Sequence, residues 1–307
     1  MTQKQEKNTE TILRIEWNDG LPHLLVLNCN TDSLEKVPLS NYHLAYRVAD
    51  PKMRICVNYQ LKPLDTSKRR PCLRVPEKGK KCEICKKEDS IFAANLHNAH
   101  TKDRGALPAE IVKHMQNPNY LYLAAFDDGA LKIGTSRTQR INTRLLEQGA
   151  LIATIMCETE DGFLIRVLED MVTAEMGISQ SVTTRKKLQG LVTPLPLSEV
   201  NAKLSEATRN VKTFIESRFS EECSIVLNEW ENPERSTPLW ERIHAYPNNL
   251  GSGAHDLTIG GARGRLVGFT KGTGDESFVG DLDEIFGVVV EPGSFPTNEM
   301  TVQDKLF

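Results

Sequence analysis

Hydrophobic positions come in short runs at the start of the chain. Residues 12–17 and 23–27 are apolar runs parted by Asn18, Asp19 and Gly20, a turn signal that predicts a β-hairpin. Residues 43–48 and 53–59 continue the strand pattern, so 1–59 reads as an N-terminal β segment. Residues 60–105 have no period and are rich in Lys, Pro and Cys. Such a stretch cannot bury a core of its own and calls for a metal to order it.

From 106 to 192 the pattern changes to alternating strand and helix periods. Residues 107–116 predict a short helix with Pro108 near its start. Residues 120–126 and 130–134 predict two strands joined by a turn at Asp127, Asp128 and Gly129. Residues 138–148 predict a helix with Ile141, Leu145 and Leu146 on one face and Gly149 as its C-terminal cap. A third strand over 150–157 and an amphipathic helix over Gly162–Met176, with Phe163, Val167, Met171 and Ala174 as its stripe, complete a β-β-α-β-α module. Thr183, Thr184, Arg185, Lys186 and Lys187 start a basic helix. Residues 193–220 carry one long helix beginning at Pro196, with Val200, Leu204, Val211 and Ile215 on its buried side. Residues 221–307 return to β, with Gly260, Gly261, Gly264 and Gly268 around one apolar run and 285–290 as another. The expected class is α+β, with flanking β segments that can pair with each other.

The composition is that of a globular protein: 39% hydrophobic and 26% charged residues over 307 positions. No apolar run reaches the roughly 18–20 residues of a membrane helix, so no membrane partner is expected. The polar start, without an apolar stretch behind a basic one, predicts a cytoplasmic protein. The net charge of −3 argues against wholesale electrostatic binding to DNA or RNA. Its distribution argues locally for it. Between 62 and 87 stand Lys62, Lys68, Arg69, Arg70, Arg74, Lys78, Lys80, Lys81, Lys86 and Lys87, opposed by Asp65, Glu77 and Glu83 alone. This run is either a solvated face or a phosphate-binding surface.

Seven cysteines, an odd count, do not suggest a disulfide framework. Cys82 and Cys85 form a Cys-x2-Cys knuckle, with Cys72 nine intervening residues earlier. A knuckle points two thiolates at one metal, and tetrahedral zinc needs two more ligands. Cys72 is the third. Cys56 is the choice for the fourth, with His97 and His100 as rivals. With every position filled by protein the zinc is structural. Cys29, Cys157 and Cys223 read as core or incidental thiols.

Tyr120, Leu121 and Tyr122, followed after nine intervening residues by Lys132, Ile133 and Gly134, resemble the paired motif of the GIY-YIG endonuclease superfamily. A closer likeness is to an uncharacterised bacterial group with a Lys-Ile-Gly or Lys-Val-Gly variant motif and a preceding Cys-rich segment. That group is similar also in Arg137 and in the stretch from Arg144 through Gln148, Gly149 and Ala150. The resemblance implies a GIY-YIG-like module that binds nucleic-acid phosphodiesters and cleaves them with magnesium or manganese. By position, Tyr122 falls on the first motif tyrosine, Arg144 on the helix arginine with Arg140 one turn earlier, and Glu169 on the glutamate that holds the divalent ion. Arg137 and Lys186 would extend the substrate surface. Two positions depart: Lys132 replaces the second motif tyrosine, and Gln148 stands where the nucleases often have His or Tyr. Glutamine is no base at neutral pH, whereas lysine is one only where burial or positive neighbours lower its pKa. Three functions follow: a metal-dependent nuclease, a nucleic-acid-binding module without catalysis, or an enzyme using the same groove for a small anionic molecule.

Overall fold

The structure, a computed structural model, describes residues 8–58, 70–271 and 276–297. Tyr59, Lys62, Asp65, Lys68 and Arg69, and so the beginning of the basic run, lie outside them. The chain opens with strands β1 (Glu10–Asn18), β2 (Leu21–Asn28), β3 (Leu34–Pro38) and β4 (Tyr42–Val48). Helices α1 (Glu83–Leu96) and α2 (Ala109–Met115) lead into β5 (Asn119–Ala125), β6 (Leu131–Arg137), α3 (Ile141–Gln148), β7 (Ile152–Thr159), α4 (Gly162–Met176), α5 (Thr184–Val192), α6 (Leu197–Arg218) and β8 (Ser224–Glu231). It closes with β9 (Ile243–Ala245), β10 (Gly253–Arg263), β11 (Leu266–Lys271), β12 (Ser277–Asp281) and β13 (Val289–Pro292). These elements form two compact units. One is built from both ends of the chain, up to Lys87 and from Pro238, and the other from Glu88–Thr237.

The first unit is a sheet of nine strands among the described residues, in the order β3-β2-β1-β13-β4-β10-β11-β12-β9. The hairpin of β1 and β2 turns on Asp19 and Gly20, both at positive φ (49° and 81°), the two-residue turn whose twist suits antiparallel strands. β13 pairs with both β1 and β4, so the terminal β segments share one sheet. The strand expected over 53–59 does not form. Among the described residues only Arg54 makes a bridge, to Val288. The amides that follow are engaged elsewhere: Ile55 bonds Gly287 O, Cys56 bonds Arg74 O and Val57 bonds Lys80 O. That backbone serves the cysteine segment instead of a ladder.

α1 was not visible in the 60–105 pattern because it carries no apolar stripe of its own. It starts inside the knuckle, where Cys82 O accepts from the Lys86 amide at 2.9 Å. The turn that gathers the cysteines is also the first turn of the helix.

The second unit is an antiparallel sheet in the order β6-β5-β7-β8. Alternation along β5 sends Leu121, Leu123 and Ala125 to a core shared with α4 and α6, and Tyr122 and Ala124 to a second core under α3. β8 belongs to this sheet, so the β segment expected to begin at 221 surrenders its first strand to β7. α4 buries Ile165, Leu168, Glu169 and Val172, not the stripe expected from Phe163 to Ala174. Phe163 packs instead with Leu107, Ile111 and Met115, because α2 covers that side of the helix. Among the described residues no helix is long and apolar enough to cross a membrane.

Candidate functional site

Cys56, Cys72, Cys82 and Cys85 place their sulfurs within 4.8 Å of one another, a group that can hold one metal ion. Three come from one connected segment. Cys56 comes from the extended backbone whose amides bond that segment. The Cys72 and Cys82 sulfurs are 3.8 Å apart. The Cys82 amide donates to Cys56 Sγ at 3.3 Å, and Arg74 Nη1 donates to Cys72 Sγ at 3.6 Å. Burial works against ionisation of Cys82, yet hydrogen bonds from the Cys85 amide and thiol, from Arg74 and from Cys72 bring it down to about 6. Burial pushes Cys85 and Cys56 up. One thiolate is thus seated at Cys82, the state a cation would extend to the other three. The rival ligands stand elsewhere: His100 Nε2 is 2.8 Å from Asp170 Oδ2, and His97 lines a cleft in the second unit. Part of the described basic run is already paired. Lys80 pairs with Asp283, and Lys86 with Glu83 at 2.6 Å.

The second unit holds a cleft of about 240 Å³ lined by Arg137, Arg140, Arg144, Arg166, His97 and His114, with Asn119, Thr135 and Ser136 as neutral polar groups. Among the described residues no carboxylate lines it. Arg137 ends β6, Arg144 lies on α3, Arg166 on α4 and His114 on α2, so four elements converge there. Arg140 leans away to Glu147 Oε1 at 2.8 Å. Arg144 hydrogen-bonds the Tyr122 hydroxyl. Neither Arg137 nor Arg144 makes an ion pair among the described residues. Burial, reinforced by nearby arginines, holds His97 and His114 below the usual imidazole range, so both are neutral at pH 7.

Behind this wall lies a polar cluster. Tyr122 is fully buried, its hydroxyl accepts from Gln148 Nε2 at 2.8 Å, and burial keeps its phenol protonated. Lys132 is 9% exposed, and burial, then the positive charges of Arg144 and Arg166 against the attraction of Glu169, lower it to about 8. Glu169 is 4% exposed, with Oε2 2.7 Å from Arg166 Nη1. The structure therefore gathers Tyr122, Lys132, Arg144, Gln148 and Glu169, and puts Arg137 and Arg140 at the rim. Lys186 is not among them. It reaches Asp128 at 3.8 Å in the turn between β5 and β6, the opposite end of β6 from Arg137.

Compared with known families, residues 54–246 match the one described as a protein of unknown function (DUF2797). The chain belongs to the DUF2797 family. Neither the curated proteins nor the solved structures contain a match. The DUF2797 region takes in all four clustered cysteines and every residue of the cleft, so the family stretch carries both candidate sites.

Within that stretch, Gly134 has a plain physical reason. It faces Tyr122 across the β5–β6 ladder. A Cβ there would lie 2.5 Å from Tyr122 Cζ and closer still to the hydroxyl. The bare backbone lets the ring lie flat toward Gln148 and Arg144. Gly134→Ala is expected to cost about 2 kcal/mol by overpacking, read by urea unfolding. An unchanged midpoint would mean that the ring moves aside freely. Sequence reasoning missed Arg166, His97 and His114 as site residues. The one available signal was the i,i+3 spacing of Arg166 and Glu169 on α4.

Proposed function

We propose that the second unit is a nuclease-like module of GIY-YIG type that binds nucleic-acid phosphodiesters in the arginine cleft. The observation that carries this reading is the cleft wall itself: four arginines and two neutral histidines converge, and among the described residues no carboxylate lines it. A guanidinium offers paired donors that match two phosphate oxygens at once, and Arg137 and Arg144 have no carboxylate to satisfy first. The strand-strand-helix-strand-helix order of β5, β6, α3, β7 and α4 agrees with the resemblance read from the motif. In the first unit the proposed ion is zinc. Tetrahedral zinc with bonds of about 2.3 Å sets sulfurs roughly 3.8 Å apart. The Cys72–Cys82 separation of 3.8 Å has that value. Four thiolates leave no position for substrate, so the zinc holds the segment in shape and takes no part in chemistry.

The test is binding of a labelled single-stranded oligonucleotide across a range of salt. Arg144→Gln is expected to weaken binding about tenfold and to flatten the salt slope by about one. Affinity that ignores both salt and Arg144→Gln would turn the reading toward a small anionic ligand held elsewhere.

Cleavage is the second reading, favoured by Lys132. Its amine, lowered to about 8, has a neutral fraction where the resemblance places a tyrosine, and it lies behind the residues that line the cleft. A nicking assay on supercoiled plasmid and on single-stranded RNA decides it. Nicking lost in Lys132→Met supports hydrolysis, and intact substrate with zinc-loaded protein leaves binding alone. The divalent ion that the resemblance implies at Glu169 does not fit: its carboxylate is buried against Arg166 and does not line the cleft.

A further inference from the structure

We infer that the cleft takes a phosphate group without a divalent cation, and that Glu169 serves there as the positioning residue of Arg166. The inference rests on the phosphodiester reading above and deepens it.

Its first support is where Glu169 sits. The side chain lies on the buried stripe of α4, one helical turn from Arg166, which is itself partly exposed and lines the cleft. The pair at 2.7 Å puts the carboxylate behind the guanidinium. A magnesium ion held by one carboxylate keeps several waters and needs that carboxylate open to them. Here one oxygen already accepts from an arginine, and Glu169 is not among the residues that line the cleft.

The second support is charge. Arg166 pairs with Glu169, and Arg144, Arg166 and Glu169 act together on both Lys132 and His97, so Lys132, Arg144 and Arg166 are the cations near this one carboxylate. Three cations against one carboxylate leave a positive field, before Arg137 is counted. Such a field draws an anion and repels a second cation.

The third is the size and chemistry of the space. About 240 Å³ has room for one phosphate with its ester group. Arg137 and Arg144 supply paired donors, Arg166 is braced toward the same space, and Thr135 and Asn119 line it as neutral polar groups. A braced guanidinium loses less side-chain freedom on binding than an unbraced one, and this is what Glu169 contributes.

The experiment uses the full, zinc-loaded chain in buffer stripped of other divalent cations over a chelating resin, with zinc content checked. Inorganic phosphate, a nucleoside monophosphate and a single-stranded oligonucleotide are titrated calorimetrically with and without magnesium. Affinity is expected to be the same in both buffers. Glu169→Gln is expected to weaken it on the order of tenfold, the worth of a hydrogen bond to a charged group. Because Glu169 acts through Arg166, the double variant Glu169→Gln, Arg166→Gln should bind no more weakly than Arg166→Gln alone. A merely structural glutamate would give additive losses.

A gain in affinity with magnesium that disappears in Glu169→Gln would overturn the inference, as would additive losses or tighter binding by Glu169→Gln. Should that variant not fold, the magnesium comparison on the unaltered chain decides between the two. Arg166→Lys, which keeps the charge and loses the fork, must then weaken phosphate binding. Phosphate and mononucleotide binding without oligonucleotide binding sustains the inference and overturns the nucleic-acid reading. Binding of none of the three overturns both.

Discussion

Replacing Cys82 with Ser should empty the metal cluster and destabilise the first unit by on the order of 5 kcal/mol, part of the roughly 10–16 kcal/mol with which structural zinc binds folding peptides. The size follows from how little else holds the segment. Leu73, Val75 and Ile84 are exposed, Val75 at 71%, so among the described residues these apolar side chains gather no core around it. Its described backbone is tied through the amides of Cys56, Val57 and Cys72, bonded to Arg74, Lys80 and Asn58. Beyond those bonds the described ties include the Cys82 amide on Cys56 Sγ at 3.3 Å and the Lys80 pair with Asp283. The start of α1 should fray with the knuckle, since its first turn is the knuckle. Metal content and thermal unfolding measured on the same samples check this. Cys29→Ser is the control, as Cys29 lies outside the cluster and should change neither. Full zinc content with an unshifted midpoint in Cys82→Ser would remove Cys82 from the ligands.

The cysteine cluster was legible because its signal is local. A knuckle of two cysteines is a fixed spacing, and a structureless stretch around it needs an organiser. The choice of Cys56 over His97 and His100 was less local, yet the structure supports it through amides that tie 55–57 to the segment. The hairpin at Asp19 and Gly20 and the limits of α4 were legible for the same reason, since turn chemistry and helix period act within a few residues.

What the pattern could not give depends on partners far along the chain. α4 carries apolar residues almost all round, so its period allowed two stripes. The choice went to Ile165, Leu168 and Val172 because the sheet and α6 meet that face while α2 takes Phe163. The apolar run of β8 reads as a strand, but nothing near it says that its neighbour is β7, some seventy residues earlier. The cleft is the extreme case. Arg137, Arg144, Arg166, His97 and His114 come from separate elements, and only the packing of α2 and α4 against the β5–β6 end of the sheet brings them to one space. The motif pointed to Arg144 and Glu169 individually. It could not say that Glu169 would face a guanidinium and not open space.

Lys132→Met should make the protein more stable, by about 3 kcal/mol at pH 7. The folded chain holds this amine at about 8 against its ordinary 10.5, mainly because burial disfavours the charged form. A gap of roughly two and a half units, at about 1.4 kcal/mol each, gives that figure. Below pH 8 both folded and unfolded chains carry the proton, and the folded state bears the whole cost of the buried charge. Between 8 and 10.5 the unfolded chain binds the proton and the folded one sheds it, so the unaltered protein gains stability as pH rises. The advantage of Lys132→Met must therefore be largest at and below neutrality and shrink steadily through that window. Urea unfolding of both proteins at pH 7 and again near 9.5 measures the difference, with the other titrations common to both. A variant that is no more stable at pH 7, or whose advantage is flat with pH, would mean that the amine already has a compensating partner in the fold. A residue that costs this much where methionine would pack is retained against the stability of the sheet. With Arg144 and Glu169 near enough to act on it, that cost favours the proposed role of Lys132 behind the cleft over one in packing the sheet.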